Sequence, residues 1–188
     1  HKGADQIHLL HGKFQFGEQT FNSSAMSAGS GSKAVEAIPE LESAVRINGN
    51  YSPILQSDRN NIVRIEEFLF ADANFLELFS FNLLEGNPKT ALEAPNSILL
   101  TPELAEQFFG TQNVVGRDLQ LEGDIPVKVT GLITKPPSNS TFNFQSIASI
   151  TTLNAIERKE DPDRATEHYS LNNNRVQLGS FMTYFKIQ

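Results

Sequence analysis

The stretch Ser97–Ile133 constrains this chain more than any other, because it carries start and stop signals for several elements in a row. Ile98-Leu99-Leu100 is a short apolar run that reads as a buried strand. Thr101 can cap a helix, and Pro102 suits its first position, where a missing N–H costs nothing. Leu104, Ala105, Phe108 and Phe109 then share one helical face, and Gly110 stands where a helix-terminating glycine belongs. After Gly116, Leu119 and Leu121 alternate with polar neighbours. Glu122-Gly123-Asp124 turns the chain, and Val127 and Val129 alternate again before Gly131. Strand, helix and hairpin in such close order lead us to expect an α+β fold with short mixed sheets and helices packed on them.

Signals elsewhere are weaker. Ile7–Leu10 and Phe14–Phe16 suggest extended segments broken by Gly12 and Gly17. The small residues of Ser23–Ser32 suggest a mobile loop, with Ser32 capping a short helix over Val35 and Ile38 that Pro39 stops. Ala44–Ile47 reads as a strand, Asn48–Asn61 as a hairpin loop or lobe connection, and Ile62–Phe70 as one alternating strand. Asp72 is the expected N-cap of a turn or two of helix bearing Phe75, Leu78 and Phe79, a unit ended by Gly86-Asn87-Pro88. Pro136–Ser140 reads as a rigid polar connection. Phe142–Ile150 looks extended, and Thr151 is expected to open a short helix over Leu153 and Ile156. Glu157–Asn174 is expected to be exposed, and the last residues from Phe181 form a strand.

The 188 residues carry 15 Lys+Arg against 22 Asp+Glu, a formal charge of −7. That balance argues against nucleic acid as a partner, since such binding needs clustered cations. With 39% hydrophobic residues the chain falls in the globular range and is long enough to bury a core. There is no Cys, which removes thiol catalysis, thiolate-ligated zinc and disulfides. Apolar runs such as Phe68–Phe70 are far too short to cross a bilayer. The chain opens on His1 and shows no secretory signal pattern, so we expect an excised or processed piece of a longer protein.

Chemistry-bearing patterns are scarce. His1, His8 and His11 cluster in sequence, but the stretch reads as extended and lacks a carboxylate set at metal-site spacing; His168 stands alone. Glu66 and Glu67 would point to opposite faces of a strand, and Glu157/Glu160 reads as solvated charge. Gly29-Ser30-Gly31 lacks the spacing of a nucleophile elbow. No phosphate loop or dinucleotide fingerprint is present, so the chain is expected neither to bind nor to hydrolyse ATP. The 14 Phe residues fall mainly at core-like positions. From residues alone this is a non-enzymatic α+β domain with no catalytic, cofactor-binding or metal residue to assign, no cofactor, and binding residues left open.

Four blocks then carry a resemblance. Ala71–Phe79 joins an aspartate to a Phe-rich helix and runs into Phe81–Pro88. Ser97–Gly110 is a strand–helix–Phe-Gly unit, and Val115–Leu119 leads to the paired-strand ending Val127–Ile133. In that order they are similar to the extracytoplasmic core domain of MacB/FtsX-type ABC transporter permeases. Ile38–Glu42 and Pro137-x-Asn139-Ser140 add weaker likeness. The resemblance implies that residues 1–188 form a single MacB-like periplasmic core domain, a core α/β lobe beside a smaller one. It implies a place on the periplasmic face of the cytoplasmic membrane, between the first two membrane helices of a permease. It further implies a cytoplasmic ABC ATPase partner reached through those helices, a second permease copy, and a periplasmic adaptor, lipoprotein or peptide. ATP-driven helix motion would act on that outer partner, by mechanotransmission or efflux.

Two other readings compete. A peptide- or lipid-binding module without a transport role would show a Phe-lined apolar groove of several hundred Å³. A hydrolase would need His8, His11 or His168 in contact with a nucleophile in a cleft.

Overall fold

The stretch with the strongest local signals folds as they dictate. In the computed structural model, which describes residues 4–57, 61–160 and 181–188, Ser97–Leu100 is a strand and Pro102–Phe109 a helix. Thr101 stands at the N-cap without a side-chain bond, and Gly110 ends the helix at φ 65°, its N–H donating to Glu106 O at 2.8 Å. Asp118–Leu121 and Ile125–Ile133 then pair antiparallel about a turn with Glu122 at φ 52° and Gly123 at φ 87°.

In chain order the elements are β1 (Ile7–Leu9), β2 (Gly12–Phe16), β3 (Gln19–Ser23), β4 (Ala25–Met26), α1 (Ser30–Ala37), β5 (Leu41–Asn48), β6 (Ile54–Gln56), β7 (Ile62–Arg64), β8 (Phe68–Ala71) and α2 (Phe75–Leu78). There follow β9 (Leu83–Gly86), β10 (Ser97–Leu100), α3 (Pro102–Phe109), β11 (Asp118–Leu121), β12 (Ile125–Ile133), β13 (Ser146–Ser149), α4 (Leu153–Glu160) and β14 (Phe181–Ile187). Single 3-10 turns precede β1 and α4. Among the described residues twelve strands form one mixed sheet in the order β1-β14-β5-β8-β13-β10-β12-β11-β6-β7, with β4 added to β14 and β9 to β12; β2 and β3 make a separate hairpin. This is the expected α+β class, built on one large sheet.

The central strands lie between two apolar layers. Phe68, Phe70, Ile98 and Leu100 face one layer with Leu104 and Phe108 of α3 and Leu153 and Ile156 of α4. Leu69, Ala71, Leu99 and Ile147 face the other, with Phe75, Leu76 and Leu78 of α2. A strand covered on both sides loses its polar/apolar alternation, which is why Phe68–Ala71 and Ile98–Leu100 read as continuous runs.

Several expectations change. Ile62–Phe70 is two strands, not one: β7 is a sheet edge and β8 lies between β5 and β13, so alternation across the break was coincidental. Asn48–Asn61 is more than a loop, since β6 inside it pairs with both β7 and β11. Asp72 does not cap α2 through its side chain; Asn74 is the N-cap residue and the Asp72 carboxylate turns to Arg46. The extended segment of Phe142–Ile150 narrows to β13, and a 3-10 turn at Ile150–Thr152 leads into α4.

Ser23–Ser32 is not a free loop. β4 pairs with β14, Met26 and Ala28 are buried, and α1 begins at Ser30 rather than after Ser32. Smallness is what admits it: a Cβ on Gly31 would stand 2.9 Å from Thr183 Cγ2 and 3.1 Å from Ala44 Cβ. Glu157 lies on α4 and is half-buried, not part of an exposed run. His1, His168 and the rest of the expected exposed run from 161 to 174 lie outside the described residues.

Candidate functional site

α2 is one turn long, and a cleft opens on each side of it. The smaller, about 300 Å³, has Ile7 of β1, Lys186 of β14 and Glu42 of β5 on one wall, and Asn74, Glu77 and Ser80 on the other. The larger, about 650 Å³, lies between Ala73, Leu76 and Glu77 on one side and Pro88, Lys89 and Glu93 on the other. Asn74 and Glu77 line both.

Packing explains why so short a helix is held in place. Phe75 is fully buried, with ring centroids 5.1 Å from Phe79, 5.4 Å from Phe81 and 5.7 Å from Phe142. Phe81 stacks on Phe75 and Phe142 meets it edge-on, and ring contacts of both kinds add to the apolar burial. Asn74 Nδ2 donates to Ala44 O at 3.1 Å and ties the turn to β5. Tyr184 of β14 reaches the same cluster, edge-on to Phe79 at 5.1 Å and to Phe142 at 5.6 Å. Burial raises the Tyr184 phenol above its ordinary pKa, since the phenolate would lose its hydration.

The terminal strands meet at the smaller cleft. β1 and β14 run antiparallel with Ile7 opposite Lys186, so the start of one and the end of the other share one end of the sheet. Lys186 Nζ donates to Glu42 Oε1 at 2.7 Å across the neighbouring β14–β5 pair. Glu77 is exposed and makes no ion pair among the described residues.

A second node lies beneath. Arg46, 2% exposed, donates from Nε and its backbone N–H to Asp72 Oδ2 at 3.0 and 2.7 Å, and from Nη2 to Asp72 Oδ1 at 2.8 Å. Its Nη1 donates to Ala28 O at 3.2 Å, and its guanidinium lies 5.8 Å from the Phe181 ring centroid. One cation thus joins β5, the β8–α2 junction, the approach to α1 and the start of β14. A charge inside the apolar run Ala44–Ile47 was the signal that such a partner had to exist, because lone buried charges are costly.

The structure does not gather the candidates read from sequence. His8 and His11 are exposed at β1 and just beyond it. Glu66 is exposed, while Glu67 accepts from Asn143 Nδ2. Ser27 Oγ lies 2.7 Å from Ser30 Oγ, and Ser32 Oγ donates to Gly29 O, so these hydroxyls serve the entry to α1. Among the described residues no three His, Cys, Asp or Glu side chains are grouped to hold a metal ion. The clefts beside α2 were not foreseen, and neither is lined by Phe.

Residues 4–182 match the family model of the MacB-like periplasmic core domain, and the chain belongs to that family. No curated protein sequence matches it. Among solved structures it is similar to a domain assigned to a permease protein of Porphyromonas gingivalis, at 23% identity and a TM-score of 0.76, covering 98% of this chain and 73% of that one. The periplasmic region of MacB from Actinobacillus actinomycetemcomitans matches at 12% identity and a TM-score of 0.54, covering 82% and 62%. The extracellular domain of the noncanonic ABC-type transporter YknZ from Gram-positive bacteria matches at 11% and 0.53, covering 86% and 74%. At these identities the likeness is one of fold.

The chain is therefore a periplasmic domain of a MacB/FtsX-like ABC transporter permease, on the extracytoplasmic side as part of a membrane protein, among relatives that are permease domains rather than enzymes. Among the described residues no helix is long and apolar enough to cross a membrane.

Proposed function

We propose that this domain couples ATP hydrolysis in a cytoplasmic ABC ATPase to action on an extracytoplasmic partner, with the clefts beside α2 as the responding surface. The observation that carries the reading is the composition of the smaller cleft, whose opposite walls are the paired terminal strands and α2. In a permease with membrane helices before and after this domain, helix movement would load β1 and β14 at their shared end. Tyr184 and the Phe79–Phe142 rings would pass that load to α2, while the sheet centred on β10 and β12 resists it. Packed cores switch between discrete arrangements and carry such displacements. In the same proposal residues 1–188 act as one core domain with two lobes, beside a second permease copy.

The test labels Glu42→Cys and Ser80→Cys, two exposed walls of the smaller cleft, with nitroxides in the full-length permease bound to its ATPase. The domain has no Cys of its own, so its labels report these two positions alone. Spin–spin distances should shift between nucleotide-free and ATP-trapped states. Identical distance distributions in a complex that turns over ATP would overturn the coupling.

A further inference from the structure

We propose that the larger cleft beside α2 docks a segment of a partner protein presenting a bulky apolar side chain flanked by Lys or Arg. The proposal rests on the coupling reading above and names the chemistry of its outer partner.

The two clefts carry the same formal charge, two glutamates against one lysine, and differ in size and in how those charges are paired. In the smaller one the Glu42 carboxylate is already met by Lys186 at 2.7 Å. In the larger one Glu77 and Glu93 stand at the rim with no ion pair among the described residues, against the single cation Lys89. Ala73 and Leu76 on one side and Pro88 on the other give it apolar lining. Net negative charge beside apolar lining, in a chain of charge −7, selects a guest that is apolar at its tip and cationic beside it.

The shape favours a segment of protein. The cleft is broad and open, and about 650 Å³ holds several side chains, yet it does not enclose a small molecule on most sides as tight small-ligand sites do. An acidic segment would meet Glu77 and Glu93 with like charge.

The test uses the full chain and two dye-labelled peptides with the same Leu-Phe centre, one flanked by lysines and one by glutamates, read by fluorescence anisotropy. The lysine peptide should bind at least about tenfold tighter, and its binding should weaken as salt is raised. Ala73→Arg, which adds bulk and positive charge to the lining, and Glu93→Lys, which reverses one of its charges, should each weaken it about tenfold. Both positions are exposed, and unchanged circular dichroism would show that the variants fold. Equal or tighter binding of the glutamate peptide, or no saturable binding of the lysine peptide by about 1 mM, would overturn the proposal. Unchanged affinity in both variants would also overturn it. These failures would leave the spin-label shift untouched, and a missing shift would leave the peptide affinities unaffected, so the two readings fail separately.

Discussion

Ser97–Ile133 and Ser23–Asn48 are both well packed, yet they are held by opposite means. In the first, each decision is made within a few residues: Pro102 starts a helix, Gly110 ends it in the left-handed region, and β11 and β12 meet across a tight turn. In the second, local serine hydrogen bonds serve only the entry to α1, and the rest is set by distant partners. β4 and β5 pair with β14, Arg46 is held by Asp72, and Gly31 is seated against Thr183. The first region is held by backbone preference reinforced by packing; the second is held by contacts with residues far away in the chain.

That contrast can be broken at its strongest point. Arg46→Ala leaves the Asp72 carboxylate without its cation and should cost about 3–5 kcal/mol by urea unfolding, whereas Arg46→Met retains apolar bulk and Asp72→Asn/Arg46→Met together should recover part of the loss. A cost below about 1 kcal/mol for Arg46→Ala, the range of an exposed pair, would remove the node from the account.

The glycines sharpen the same point at smaller scale. Gly31→Leu forces atoms into Thr183 and Ala44 and should cost about 1–3 kcal/mol. Gly110→Ala faces open space and pays only for its φ of 65°, about 1 kcal/mol. Thermal melts that reverse this order would mean that α1 is not seated as described.

The smallest effect concerns β14 and pH. Because burial raises the Tyr184 phenol, the unfolded chain releases that proton first, and the stability tied to it is fully present below about pH 10. It is then lost as pH rises through the folded value. Tyr184→Phe should flatten the alkaline limb of the melting profile, and identical limbs would place the ring in water.

What was legible follows from range. The helix α3, its flanking strands and the aromatic stripe Phe75, Leu78 and Phe79 are announced by neighbours three or four residues apart, the distance over which backbone preference and helical periodicity act. The charge at Arg46, inside a stretch read only as a strand, was a signal that the sequence reading did not use. Asp72, a good capping residue by type, was claimed instead by that cation, because a buried guanidinium needs a carboxylate more than a one-turn helix needs a cap. The clefts beside α2 left no signature, since their walls come from β1, β5, β14, α2 and the turn after β9.

The order of residues alone settled the α+β class, the strand–helix–hairpin unit and, through four short blocks, the family. It did so because caps, turns and periodicity are local. Tertiary structure alone decided that a run of small residues becomes a sheet edge and a helix, that Ile62–Phe70 divides, and that Glu42, Glu77 and Lys186 share one cleft. Those outcomes depend on which surfaces meet when twelve strands join one sheet, and a side chain's neighbours across a sheet are set by pairing register rather than by distance along the chain.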